Sequence, residues 1–308
     1  MLLSLGASAL VRGAASLALR LGLTPLIVGL TVVAFGTSAP ELVVSVESAL
    51  SGQGGIAVGN VVGSNIANVG LILALAALIA PFGIDRALVR RDVPLLIAVS
   101  AVAAALLWDG RLGLAEGVAL VAGLVGWIAW SVVHARREAA EQRLAPDAHV
   151  DGVPDAPSGS GLLDALFVAG GLAGLVVGGR LLVNGAVSLA TAAGVSEAVI
   201  GLTVVAVGTS LPELFTSVVA AVRGHAEIAA GNVVGSNLFN LLGILGTAAI
   251  VRPLDATGFQ TLDFAVMGGF AVAMLAMMLA GRRLGRLDGA LLLAGYAAYM
   301  GYLATQHA

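Results

Sequence analysis

Two carboxylates sit in matching surroundings. Glu41 ends the stretch Gly36-Thr37-Ser38-Ala39-Pro40-Glu41, and Glu213 ends Gly208-Thr209-Ser210-Leu211-Pro212-Glu213, each inside a long apolar run. An acid is costly in such a run unless something uses it. Thr37 and Ser38 precede Glu41 by four and three positions, so a helix puts all three on one face, and Thr209, Ser210 and Glu213 repeat the spacing. Pro40 lacks a backbone donor, and its ring clashes with the carbonyl of Gly36. Each broken turn therefore offers backbone oxygens, two hydroxyls and a carboxylate at one depth, a ligand set suited to hard cations such as sodium and calcium. Ala34 and Ala206 are candidate carbonyl ligands by position.

A second polar row follows. Asn60, Ser64 and Asn68 recur every four residues, as do Asn232, Ser236 and Asn240, so each set forms one stripe on a helix. Gly59-x-x-x-Gly63 and Gly231-x-x-x-Gly235 would let this helix lie close against the proline-broken one. Simpler readings compete at each position. A lone Ser or Thr in a membrane helix usually bonds its own backbone, and Asn60, Asn232, Asn65 and Asn237 could serve as interhelical hydrogen-bond glue. A buried neutral acid is the corresponding reading for Glu41 and Glu213, and the duplicated six-residue context argues against it. Glu47 has Val219 as its counterpart, so it stands outside the symmetric set and reads as an interfacial or entrance residue.

The elements that must position these residues are membrane helices. The 308-residue chain is 59% hydrophobic and 11% charged, with a mean hydropathy of +1.02, which excludes a soluble globule. With 42 glycines and 5% aromatics, its helices must pack through small side chains. No cysteine is present, which removes disulfides and thiolate metal sites. Spans of about 20 apolar residues fall at 2–20, 24–51, 56–80, 93–108, 112–133, 162–190, 195–222, 227–251, 262–280 and 287–304. Met1 to Ala9 lacks a basic leader and reads as the start of the first span. The one long polar stretch, Ala135 to Gly161, ends rich in Pro, Gly, Ser and Asp, as a linker does. Arginine placement predicts both termini outside and the linker cytoplasmic. The inner side then holds Arg20, Arg86, Arg90, Arg91, Arg136, Arg137, Arg143, Arg223, Arg282, Arg283 and Arg286, against Arg111 and Arg252 outside. Arg12 and Arg180 fall within spans and are expected to snorkel at a lipid-facing edge.

The chain is duplicated. Glu213 follows Glu41 by 172 residues, and at that offset 29 of the 52 pairs from Gly22/Gly194 to Leu73/Leu245 are identical. Five spans per copy is an odd number, so the second copy enters the membrane from the opposite side. The expected fold is an all-α integral membrane protein of ten transmembrane helices in two inverted five-helix repeats, 1–134 and 162–308, joined by the linker 135–161. In such folds the site lies near the midplane, where the copies meet.

Two GTSxPE stretches, each followed by GNVVGSN, resemble the alpha-1 and alpha-2 repeats of the cation/calcium exchanger superfamily, here spanning 22–73 and 194–245. The resemblance covers nearly the whole chain. It implies calcium ligands Glu41 and Glu213 with Thr37 and Thr209. It implies sodium ligands Ser38, Ser64, Ser210 and Ser236, with the Ala34 and Ala206 carbonyls and the same glutamates. Asn68 and Asn240 occupy a level where several exchangers carry an Asp, which argues against potassium coupling. The linker has no room for the calcium-sensing domains of animal exchangers. The implied activity is antiport of calcium against sodium, three sodium ions for one calcium, by alternating access in the cell membrane. The ions are cargo, and no cofactor, nucleic acid or obligate protein partner is called for.

Other readings remain at this stage. A carboxylate in an apolar site can itself carry a proton, which allows calcium/proton exchange. A passive cation channel fits inverted, broken helices less well. An intramembrane hydrolase using Ser38 or Ser210 lacks a base, since His225 lies beyond the helix end.

Overall fold

The computed structural model describes residues 1–143, 160–192, 206–255, 261–281 and 283–306. Most of the expected linker lies outside these residues, as does the opening of the second repeat motif, 193–205. What is described is helical apart from two short strand pairs. In chain order the helices are α1 (Leu2–Leu21), α2 (Pro25–Thr37), α3 (Ala39–Leu50), α4 (Gly54–Ile79), α5 (Val93–Leu106) and α6 (Leu114–Arg143). They continue with α7 (Gly161–Ala192), α8 (Ala206–Thr209), α9 (Leu211–Val222), α10 (Ala226–Val251), α11 (Thr261–Gly281) and α12 (Arg286–Gln306). Among the described residues six helices are long and apolar enough to cross a membrane, or seven if the bent pair α2 and α3 is one span.

Local chemistry sets the boundaries. Gly22 ends α1 in the left-handed region at φ 63°, and Thr24 then caps α2 by accepting from the Ile27 amide, with Pro25 at the first helical position. Gly52 and Gly224, at φ 78° and 79°, make the two equivalent turns that lead into α4 and α10.

The core is built on α4 and α10, which are 72% and 89% buried over their apolar windows, against 22–56% for the other four long helices. Glycine permits this closeness. A Cβ on Gly231 would stand 2.8 Å from the Leu26 carbonyl, and one on Gly235 would collide with the backbone of Leu30, so α10 lies directly on α2. Gly63, in contrast, has open space beside it. Outside this core α1 runs antiparallel to α7. Gly6 faces Gly171 to Leu175 and Gly13 faces Asp164 to Val168, while Arg20 bonds the fully buried Asp164 at 2.9 Å.

Contacts recur at the offset of the sequence repeat. The strand Phe82–Gly83 pairs antiparallel with Arg283–Leu284, and Arg111–Leu112 pairs with Leu254–Asp255, each partner shifted by 172 residues between the two pairs. Gly117 packs on the Gly246 carbonyl of α10 as Gly289 packs on the Ala74 carbonyl of α4. The amide of Gly285 is capped by Asp288 at 2.8 Å, and that of Gly113 by Glu116.

Because Gly235 meets backbone and Gly126 meets nothing within 4 Å, alanine at the two positions should act oppositely. Gly235→Ala is expected to cost about 1–3 kcal/mol through overpacking. Gly126→Ala should be neutral or stabilising by up to about 1 kcal/mol. Thermal unfolding of the purified protein in detergent reads both.

Candidate functional site

The two proline stretches break their helices in the same way. Ser38, between α2 and α3, sits at φ −82°, ψ 7°, and Ser210, between α8 and α9, at φ −88°, ψ 9°. Pro40 and Pro212 occupy the first turn of the helix that follows, where a missing donor is harmless. The first break bends the chain by 47°. Glu41 and Glu213 then fall in the first turns of α3 and α9, where helix N-termini favour negative charge.

The two breaks meet, and their side chains cross. Ser38 Oγ donates to Glu213 Oε1 at 2.9 Å, and Ser210 Oγ donates to Glu41 Oε1 at 3.1 Å. Each carboxylate is thus held by the serine of the other copy. Thr209 and Thr37 face the Glu41 and Glu213 carboxylates respectively. Glu41 is 2% exposed and Glu213 1%.

The asparagines of α4 and α10 hold this layer from outside. Asn60 Nδ2 donates to the Glu41 carbonyl at 3.1 Å and to Ser45 Oγ at 2.9 Å. Asn232 Nδ2 does the same to the Glu213 carbonyl at 3.4 Å and to Ser217 Oγ at 2.9 Å. Asn232 Oδ1 also accepts from Thr37 at 3.1 Å. Asn60 and Asn232 thereby join α4 to α3 and α10 to α9. Ser45 and Ser217 were not singled out by the motif reading, although they are an identical pair at the repeat offset and so carried a usable signal.

Several oxygens here are buried with no partner: Glu41 Oε2, Glu213 Oε2, Asn68 Oδ1, Asn240 Oδ1 and Ser236 Oγ. Each unpaired buried group costs about 1–3 kcal/mol, and a cation among them would remove that penalty. Among the described residues no three acidic, cysteine or histidine side chains converge, so the negative charge is that of the two glutamates. Ser64 is buried on α4. The Ala34 carbonyl already accepts from the Ser38 amide at 3.0 Å and the Thr37 hydroxyl at 3.3 Å. Ala206 opens α8. Asn68 and Asn240 lie where the helices widen into π turns, Asn68–Leu73 and Phe239–Ile244, a distortion common at functional sites.

A cavity of about 220 Å³ reaches the breaks, lined by Pro40, Glu47, Arg180, Asn184, Thr209 and Pro212 among others. Arg180, which is exposed, and Glu47 both line this cavity. Arg12 lies over the Phe167 ring at 4.9 Å.

The sodium/calcium exchanger protein family matches residues 1–133 and 163–305. The inner membrane protein YrbG of Escherichia coli is 38% identical over 96% of this chain and 92% of its own length. The sodium/calcium exchanger MaX1 of Methanosarcina acetivorans is 31% identical over 96% and 93%. Structures of the sodium-calcium exchanger NCX_Mj superpose with TM-score 0.82 at 30% identity, covering 97% of this chain and 94% of that one.

The crossed bonds make a direct prediction. In a double-mutant cycle on thermal stability, Ser38→Ala with Glu213→Gln should show a coupling of about 1–2 kcal/mol. Ser38→Ala with Glu41→Gln, on the same chain segment, should show a clearly smaller one.

Proposed function

The chain belongs to the sodium/calcium exchanger protein family, and from that premise we propose that it is an antiporter moving calcium against sodium through the site shared by Glu41 and Glu213. The observation that carries this reading is the exchange of serine donors between the two carboxylates, which makes one site from two copies of a motif. The ligands are Glu41, Glu213, Thr37, Thr209, Ser38, Ser210, Ser64, Ser236, Asn68 and Asn240, with the Ala34 and Ala206 carbonyls, of which Ala34 must share an oxygen already engaged within its helix. One divalent ion or two monovalent ions balance the two carboxylates. Either cargo neutralises the site and lets it close, whereas the empty, doubly negative site resists closing. Exchange without leak follows.

The architecture that would carry this exchange is two inverted five-helix repeats, ten spans in all, with the polar segment 135–161 between them. The antiparallel packing of α1 on α7 and the paired contacts at a constant offset of 172 support it. Both strand pairs also join loops that the arginine count assigns to one side, which supports both termini outside and the linker cytoplasmic. On that assignment the cavity beside Glu47 faces outward. Three sodium ions per calcium would move net charge, so transport would respond to membrane potential.

A second reading, calcium/proton exchange, is favoured by the neutral amides at 68 and 240, which leave two carboxylates that two protons can neutralise.

Proteoliposomes decide between them. An outward sodium gradient should drive uptake of radiolabelled calcium; uptake that ignores sodium and follows a proton gradient replaces sodium with protons. Glu41→Ala and Glu213→Ala should each abolish uptake and Glu47→Ala should only weaken it. Calcium transport retained in Glu213→Ala would refute the shared site.

A further inference from the structure

Some hydrogen bonds of the core occur twice, with both partners displaced by 172 residues, and some occur once. The Ser–Glu crossings and the Asn60 and Asn232 clamps occur twice. The four amides deeper in α4 and α10 behave otherwise. Asn68 Nδ2 donates to Asn237 Oδ1 at 2.8 Å, and Asn237 Nδ2 donates to the Asn65 carbonyl at 3.3 Å. The equivalent bonds would run from Asn240 Nδ2 to Asn65 Oδ1 and from Asn65 Nδ2 to the Asn237 carbonyl. Instead Asn240 Nδ2 and Asn65 Oδ1 are both buried and unbonded, and Asn65 Nδ2 reaches the Met267 sulfur at 3.8 Å. All four residues are asparagines in equivalent positions, so the one-sidedness does not come from these residues themselves, although the Met267 beside Asn65 has Leu95 as its equivalent. Their sequence would serve either arrangement.

The periphery is one-sided in the same sense. Arg223, just beyond α9, donates to the Ser8 carbonyl at 3.1 Å and to Ser8 Oγ at 2.7 Å, fastening α1 at that face. At the repeat offset the equivalents of Ser8 and Arg223 are Arg180 and Ser51, and Arg180 lines the open cavity. One side is tied while its counterpart stands open.

We propose that Asn65 and Asn237 form a two-position switch of the transport cycle, acting through Asn240 and Asn68. Asn237 is the bonded hub while the cavity beside Glu47 is open. When the opposite side opens, Asn65 becomes the hub, accepting from Asn240 and donating to the Asn237 carbonyl. Each transition exchanges one bonded set for an equal one, so the two states stay close in energy, as a reversible carrier needs. Asn65 and Asn237 are positioning residues, outside the ligand set, and the inference rests on the alternating-access reading above.

The chain has no cysteine, so an Asn184→Cys reporter in the cavity reads the open state by its rate of maleimide labelling on the purified full-length protein. Asn237→Ala removes only the hub of the present state and should slow labelling by roughly three- to tenfold. Asn65→Ala removes the opposite hub and, in the present state, only the long contact to the Met267 sulfur, and should raise the rate toward its ceiling. The double variant should return to the parental rate, which a merely structural role would not produce. Asn65→Ser and Asn237→Ser repeat the test with smaller disruption and should show the same opposite signs. A parent that exchanges calcium for sodium but whose variants shift labelling in one direction, or not at all, overturns the switch. A parent that performs no exchange overturns the antiport reading on which it stands.

Discussion

Two acids buried a few side chains apart in an apolar body are the constraint that the rest of this molecule answers. Among the described residues neither Glu41 nor Glu213 forms an ion pair; each has a serine from the other copy, and each helix end that holds a glutamate lends it backbone dipoles. The chain breaks at Ser38 and Ser210, and the side chains at the breaks reach across to the opposite copy. The prolines keep the breaks in place, and Asn60 and Asn232 brace them from behind. The remaining unpaired oxygens leave the site polar and unfinished, and on the proposed function a cation completes it.

Packing follows from the same demand. For the two breaks to meet, α10 must lie against α2 with backbone nearly touching backbone, and Gly231 and Gly235 make the room. The open space beside Gly63 shows that equivalent glycines need not be equally enclosed at one moment. A carrier built from near-identical halves can put a small residue at a position for the sake of a contact that its twin is making.

Much of this was legible in the sequence. The duplicated acids, the proline breaks and the repeat offset depend on residue type and spacing alone, and the structure brings Ser38, Ser210, Glu41 and Glu213 together. The crossing of serines to glutamates was not legible, because spacing shows which side chains share a face of one helix but not which opposing helix that face meets. Ser45 and Ser217 were overlooked because a lone serine in a membrane helix usually bonds its own backbone; here both accept from an asparagine one helix away. That Arg180 lines the cavity beside Glu47 was not legible either, because charge and depth do not reveal which neighbouring helices a side chain stands beside. The unequal amides were not legible, because the four asparagines are alike in type at equivalent positions and spacing does not say which of them bonds.

The long reach of the crossed bonds also bears on how the molecule is made. Ser210 lies 169 residues after Glu41, and the strand Phe82–Gly83 waits for Arg283–Leu284 near the end of the chain. The first half is therefore made with Glu41 lacking its serine donor until Ser210 of the 308 residues has been added, and the strand pairing waits longer still. A chain cut short before Ser210 would hold that carboxylate without its donor, so each half completes the polar groups of the other and not its own.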